Sequence, residues 1–308
     1  MYLMWHSEDS FTLQDGGTHN YGAIQSLEDL EHFTSLERLS INFQTNLDIS
    51  ALWNTDSIEC LKRLKKLALM SNNITDISVV SKLVSLEHLD LSYNNVKDIS
   101  PISMLIELTG LAIHGSDELT STDELLGLRK LKTVLFENFA YVDLNIFRSM
   151  PELIRLALFD IGAADYSILP QLSKLKILEL NCDNKIFQHI KKIKTLIDLG
   201  LFADVSYSES GERIGDLTDL SGIGELTNLT SLEIYADNCH DISPLASLGI
   251  ERMVIFLPED CDLTPLKSLP NLKRVFVAGY GDVWDLTEND SYIEKIRALL
   301  PNVEVNSY

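Results

Sequence analysis

The chain has 308 residues, 45% of them apolar and 23% charged, a globular composition with a formal net charge of −21. An excess of acid on this scale repels phosphate backbones, so direct nucleic-acid binding is not expected, while a basic or mixed-charge protein partner would be drawn in fastest. No apolar run approaches the ~18 residues of a membrane span, and the charge also serves simply to keep a long array soluble.

The first eleven residues, MYLMWHSEDSF, lack the basic and apolar regions of a signal peptide. That favours a cytoplasmic protein. The alternative is a secreted or cell-surface protein whose leader is missing from this sequence. Residues 1–35 read as an N-terminal cap and a first partial repeat. Phe11 and Leu13 suit a capping strand, and Ile24, Leu27, Leu30 and Phe33 recur every third residue, a helical signal.

From Leu36 onward one pattern dominates. NNITDISVVSKL from Asn72 is echoed 22 residues later by NNVKDISPISML from Asn94. An apolar motif, Leu-x-x-Leu-x-Leu with Ile, Val, Met or Phe allowed, runs from Leu36-Leu39-Ile41 to Leu272-Val275-Val277 in eleven copies. The copies step by 21 to 23 residues, except for two steps of 28 and 33. A period held over that many units marks a repeat architecture, in which each copy buries its leucines against its neighbours. The alternating apolar positions specify a strand with one buried face.

Asn72 and Asn94 follow the strand, placed for an amide to satisfy loop backbone; Asp183, Asp204 and Asp237 replace them in other units, and Phe139 and Pro258 lose the slot, so the central and C-terminal turns are expected to be less regular. Segments such as Asp98-Ile99-Ser100-Pro101-Ile102 then open a helical turn, with Ser as N-cap and Pro at the first helical position. The two long steps put insertions near Asn54-Thr55-Asp56 and at residues 204–216, read either as binding loops or as tolerated excursions. Residues 36–282 thus hold about eleven repeats. Residues 283–308 read as a C-terminal cap: Asp285 and Glu288 resemble a capping box, Tyr292, Ile296, Leu299 and Leu300 form a helical stripe stopped by Pro301, and Val303 and Val305 suit a half-strand. The whole is expected to be one structural domain.

The motif, with Asp241-Ile242-Ser243-Pro244-Leu245 and the variant Asp262-Leu263-Thr264-Pro265-Leu266, resembles the leucine-rich repeat family, in particular the 22-residue class of bacterial internalin-like proteins. The resemblance spans about residues 27–300. It implies an α/β fold: a right-handed solenoid arc with a concave parallel β-sheet and short helical turns or loops on the convex side. It implies a scaffold for binding unrelated partners and does not name one.

Function is then expected on side chains that face away from the core. In the C-terminal half these include Phe159, Phe202, Tyr235, Phe256 and Phe276, with Val254 beside them, an acidic rim of Glu179, Asp198 and Glu233, and Arg155, Arg252 and Arg274 before the strand. Periodic exposed aromatics suit a protein- or peptide-binding patch. The competing reading is that the rings pack on one another for stability. The function expected is a non-enzymatic protein-interaction module, with an internalin-like adhesin binding a host or cell-wall ligand as the alternative.

One row invites chemistry. Ser92, His114 and Glu137 stand on consecutive strands ~5 Å apart, a nucleophile, base and acid in line. Against a serine hydrolase stand the absence of a G-x-S-x-G elbow around Ser92, of evident oxyanion donors, and of a site closed to water. No cofactor motif and no metal-ligand spacing occurs. The four cysteines, Cys60, Cys182, Cys239 and Cys261, form no C-x-x-C pair. Reduced, buried thiols are expected, although Cys239 and Cys261 stand one repeat apart and a bridge between them is the alternative.

Overall fold

The structure is a computed structural model of the chain. It describes residues 2–6, 10–12, 18–20, 36–42, 61–115, 119, 121–162, 165–203, 206–207, 213–214, 216–278 and 290–307. The predicted helix at Ile24–Phe33, the insertion around Asn54–Asp56, Cys60, most of 204–216 and the Asp285/Glu288 capping box lie outside these residues. The chain divides into two compact units, Met1–Asp165 and Tyr166–Tyr308.

In the first unit the repeats supply β4 (Arg38–Ile41), β5 (Lys66–Ala68), β6 (His88–Leu91), β7 (Gly110–His114), β8 (Thr133–Phe139) and β9 (Arg155–Ile161), all parallel and in sequence order. Ahead of them β1 (Tyr2–His6) pairs parallel with β4, and β2 (Ser10–Thr12) and β3 (Thr18–Asn20) follow antiparallel, with Phe11 opposite Trp5. Equivalent leucines register rung by rung: Leu39 opposite Leu67, Leu67 opposite Leu89, Leu89 opposite Leu111. These and the second strand leucines are buried. The alternate residues occupy the other, open face of the sheet, as a period of two requires.

The second unit repeats the scheme with β10 (Ile177–Asn181), β11 (Asp198–Phe202), β14 (Ser231–Tyr235), β15 (Arg252–Phe256), β16 (Arg274–Val277) and β17 (Glu304–Ser307), again parallel. Between β11 and β14 lies a short antiparallel pair, β12 (Ser206–Tyr207) and β13 (Arg213–Ile214), within the predicted insertion. Two α-helices complete the unit, α1 (Asn184–Ile190) and α2 (Asp290–Leu299). Helix α2 buries Ile293 and Ile296, and the Arg297 guanidinium donates to the Val305 carbonyl at 3.0 and 3.2 Å, holding β17 against the helix.

The asparagine slot works as a backbone-satisfying device. The Asn94 Oδ1 accepts the N–H groups of Asn72 and Ile74, both at 3.0 Å, and its Nδ2 donates to Leu69 O at 2.7 Å and Leu91 O at 3.0 Å. One amide thus ties its own turn to the previous one inside the core, where an unpaired backbone group costs about 1–3 kcal/mol. At Phe139, one of the two positions where the slot is lost, the backbone stays bonded. With Phe139 in place of Asn, β8 and β9 run on as a longer ladder that pairs Phe139 with Ile161, so strand bonds replace the amide. The Phe139 ring packs on Phe136 at 4.9 Å between centroids. Asp183 in the same slot instead caps α1, accepting the Ile186 N–H at 2.7 Å.

On the opposite side the turns are 3-10 helices: Ser78–Lys82, Ser100–Met104, Asp123–Leu125 and Leu144–Ser149 in the first unit, and Leu169–Gln171, Ile223–Glu225, Ser243–Ser247 and Thr264–Ser268 in the second. Their capping corrects the expectation that Ser is the acceptor. The carboxylate two residues earlier takes the free N–H: Asp76 from Ser78 at 2.7 Å, Asp98 from Ser100 at 2.8 Å, Asp241 from Ser243 at 2.8 Å and Asp262 from Thr264 at 2.9 Å. Ser100 and Thr264 also donate their hydroxyls to the same carboxylates, both at 2.9 Å. A carboxylate accepts in two places at once, and its charge favours the helix start. Pro101, Pro244 and Pro265 sit in the first turn, as predicted.

Candidate functional site

The open face of the second unit gathers ten of the twelve residues singled out from the sequence. Register places Phe202 opposite Tyr235 and Tyr235 opposite Phe256, on neighbouring strands. Their rings stack face on face at 4.9 Å and 19°, then 6.0 Å and 25°. Strand spacing of ~4.8 Å matches the natural separation of stacked rings, so in-register parallel strands build such a ladder without distortion. All three rings stay partly exposed. The two readings of the aromatics therefore coincide: the rings support one another and still present a surface.

Gly200 helps to lay this row down. It lies between Glu179 and Glu233 in the ladder, and a Cβ there would stand 2.9 Å from the Phe202 ring and 3.2 Å from Glu179 Cγ. The missing side chain is the room into which Phe202 folds. Phe276 on β16 lies beneath Arg252, whose guanidinium carbon is 5.2 Å from the ring centroid, a cation–π contact. Glu233 is half-buried among these groups. Burial raises its carboxyl above the usual range, and the nearby Glu179 and Asp198 push the same way, against a hydrogen bond from Tyr235 and the charge of Arg252. Arg274, also named from the sequence, pairs instead with Glu304 on β17 at 3.3 Å.

Val254 is a correction. Register sets it between Glu233 and Phe276 on the open face, yet it is 0% exposed. Longer side chains on both flanking strands close over it, so it fills the floor of the row and offers no contact surface. Phe159 and Arg155 belong to the first unit, on β9, where Phe159 stands opposite Glu137 and Arg155 opposite Thr133.

The proposed triad row does not align for acyl transfer. His114 Nδ1 faces Glu137 at 3.5 Å without hydrogen-bond geometry, and its Nε2 meets the Asn138 amide at 3.3 Å. The exposed ring of Tyr93 stacks on the imidazole at 5.8 Å. Both ring nitrogens thus point at partners other than Ser92, which has no hydroxyl bond to His114. Among the described residues no cluster of His, Cys, Asp and Glu is arranged to hold a metal ion. No helix among them is long and apolar enough to cross a membrane.

The described cysteines, Cys182, Cys239 and Cys261, are free and buried. Burial pushes the Cys239 and Cys261 thiols up to about 11 in pKa, with the Cys261 thiol adding to the effect on Cys239 and Asp262 to that on Cys261. Thiols so protonated are poor nucleophiles at neutral pH.

The open face of the first unit has a different character, with polar and small side chains in its columns. A groove of about 560 Å³ runs along β4 to β9. One wall is the column that opens the strands, with Arg38, Lys66 and His88 in consecutive register and Arg155 at the far end. The floor runs through Ser40, Ala68, Asp90, Ala112 and Leu135, with Gly110 making room for the His88 imidazole, whose Nδ1 would lie 2.5 Å from a Cβ at that position.

Residues 62–104 match the family model for leucine-rich repeats, in two copies. No curated protein matches the chain. Among solved structures, an internalin (inlF) from Listeria monocytogenes is similar in fold at a TM-score of 0.57 and 21% identity, covering 94% of this chain and 83% of that one. The functional domain of InlJ from the same organism, which includes a cysteine ladder, gives 0.53 and 18%, covering 90% of this chain; this chain spans 54% of that one. The repeats, their register and these likenesses agree: the chain has a leucine-rich-repeat fold, similar to that of the bacterial internalins.

Proposed function

We propose that the chain is a non-enzymatic protein-interaction module, and that the open face of its second unit takes a protein or peptide partner on the row Phe202, Tyr235 and Phe256. The observation that carries this reading is the row itself: three stacked, partly exposed rings on a rigid ladder. Rings already stacked lose little freedom when a partner covers them, and aromatic anchors on ordered backbone dominate interface energetics. Phe276 under Arg252 extends the apolar area, and Glu179, Asp198 and Glu233 supply an acidic rim that favours a basic partner. The free, buried thiols suit a reducing interior.

The test is capture of partners from the native source on the purified chain, repeated with a Phe202→Ala/Phe256→Ala variant. The variant is expected to keep its circular dichroism and to lose the captured partner. Undiminished capture by a folded variant would rule the row out as the contact surface. An adhesin reading, with the same face turned toward a host or cell-wall ligand, draws its support from the internalin fold. Cell fractionation separates the two, since an adhesin collects at the cell surface.

A further inference from the structure

We infer that an apolar flank of the first unit, outside the open faces, is a second docking site, fitted to an acidic amphipathic helix of a partner protein. It goes beyond the aromatic row, which lies in the other compact unit. Seven large hydrophobic side chains are exposed among the described residues, and four of them stand on three successive rungs: Val84, then Met104 and Ile106, then Leu126, at 49, 58, 57 and 53% exposure. They sit where the 3-10 turns Ser78–Lys82, Ser100–Met104 and Asp123–Leu125 lead back toward the strands. The turns pack side by side. Just beyond them the rungs are bonded, Thr109 N–H to Glu87 O at 2.7 Å and Lys132 N–H to Thr109 O at 2.8 Å, which holds the four side chains beside one another. The repeat does not require apolar residues here. The place of Val84 and Ile106, two residues before the motif leucine, is Lys62 in the unit before and Arg129, Pro151, Ser173 and Lys194 in the units after. Four half-exposed side chains of this size make on the order of 400 Å² of apolar surface, comparable to the largest, often functional, patch on a soluble protein.

The rim sets the charge of the occupant. Lys82 takes the place of Met104 one rung earlier, and Arg129 takes the place of Ile106 one rung later. Both are exposed, and neither is ion-paired among the described residues. The carboxylates nearby are already placed: Glu107 pairs with Lys130 at 2.5 Å, Glu87 pairs with Lys65 at 3.2 Å, and Glu124 is half-buried with its Oε2 shut off from solvent. An apolar centre between two cations complements a segment that is apolar on one side and acidic beside it. The rest of the chain, with 46 acidic and 25 basic residues, repels such a segment and so directs it to this flank. The apolar residues spread across rungs as well as along one, which suits a helix presenting side chains at i, i+3 and i+4. Gly127 takes the place of Met104 on the third rung, next to Leu126, and no atom lies within 4 Å of where its Cβ would stand, leaving a notch for one apolar anchor. An anionic membrane matches the patch less well, because a charged plane meets the whole acidic chain and a helix meets the flank alone.

The test uses the full chain and a fluorescein-labelled helical peptide of about 18 residues, leucine on one face and glutamate on the other, read by anisotropy. A peptide of the same composition, scrambled so that no face is apolar, and vesicles of equal phosphatidylserine and phosphatidylcholine serve as controls. Binding of the amphipathic peptide is expected to weaken as salt rises, and to protect Met104 from oxidation by hydrogen peroxide, read by mass spectrometry. Met104→Ser/Ile106→Ser and Lys82→Glu/Arg129→Glu variants, checked for unchanged thermal melting, should each lower the affinity by about tenfold or more. Phe202→Ala/Phe256→Ala should leave it unchanged, which separates failure of this site from failure of the aromatic row. The protection of Met104 is read on the unaltered chain and decides the matter if a variant melts early. No measurable binding, an unprotected Met104, unchanged affinity in either melting-matched variant, or equal binding of the scrambled peptide would each overturn the inference. So would vesicle binding that Lys82→Glu/Arg129→Glu abolishes, which would assign the flank to a membrane, or self-association that Met104→Ser/Ile106→Ser abolishes, which would assign it to a second copy of the chain.

Discussion

The two open faces are built on the same rungs and differ in nearly every side chain they show. In the first unit the column that opens the strand carries Arg38, Lys66 and His88, and the column within it Ser40, Ala68, Asp90 and Ala112. In the second unit the column within the strand carries Glu179, Gly200, Glu233 and Val254, and the column after it Phe202, Tyr235 and Phe256. One face shows polar and small side chains of mixed charge; the other is aromatic with acidic neighbours. The buried leucines hold the backbone in place, so the three outward columns can change chemistry without disturbing register. In a repeat array whose units lean only on their neighbours, this division lets one chain carry two unlike surfaces.

The division breaks first if scaffold and column residues cost the same to remove. Asn94→Ala deprives the N–H groups of Asn72 and Ile74 of their acceptor and several carbonyls of a donor, all inside the core. A loss on the order of 3 kcal/mol is expected. Lys66→Gln, on the outward column of the same unit, is expected within about 0.5 kcal/mol of the parent. Urea unfolding of both variants decides the matter. Comparable losses would mean that the columns are part of the scaffold after all.

The glycines sharpen the same contrast. Gly110→Ala drives a methyl toward His88, and Gly200→Ala drives one toward Phe202. Each must displace the end of a side chain, not backbone, so about 1 kcal/mol is the expected cost in both. Their consequences should diverge. Gly110→Ala moves the imidazole and should shift the ring-proton resonances of His88. Gly200→Ala unstacks Phe202 from Tyr235 and should change the near-ultraviolet dichroism of the tyrosine. Crossed effects would show that the side chains named are not the ones displaced.

These comparisons also mark what the sequence makes legible. Strand register follows from the period of two, since a slip by one residue would turn Leu67 and Leu89 out to solvent. The aromatic row follows from the same count. The helix caps were misread because Ser before Pro fits an N-cap on residue type alone, while the geometry gives the acceptor to the Asp two positions earlier. Val254 was misplaced because alternation says which face a residue takes, not whether its neighbours overhang it. The two-unit division has no signature in a period that runs through it.

Acid should act unevenly on the two units. The carboxyls of Asp143, Asp219, Asp241 and Asp262 lie below their ordinary value of 3.8, held there chiefly by bonds from the backbone and side chain of Asn145, Ser221, Ser243 and Thr264. A lowered folded pKa favours the folded state above the unfolded value, and that contribution is lost as pH falls through the folded one. Stability should therefore be flat above about pH 5 and drop below about pH 4. Three of the four lie in the second unit, which should lose amide-exchange protection first. Asp262→Asn keeps an acceptor but no titrating charge, so its stability should fall less between pH 5 and pH 3. An unchanged slope would remove the cap from the account of acid sensitivity.

The smallest effect belongs to Glu233, and its sign is opposite. Its carboxyl is raised above 4.5, mainly by burial against the aromatic row. A raised folded pKa favours the folded state at low pH, and the advantage is lost as pH rises through that value. At neutral pH the ionised group is held where it is poorly solvated, with Glu179 and Asp198 nearby. Glu233→Gln should then raise the melting temperature slightly at pH 7 and not at pH 4, the half-exposed position keeping the change small. If the row binds a basic partner, the same variant should bind it less well at pH 7 while being the more stable protein. A variant that is both less stable and undiminished in binding would show that Arg252 and Tyr235, not burial, govern this carboxylate, and would remove the acidic rim from the proposed contact surface.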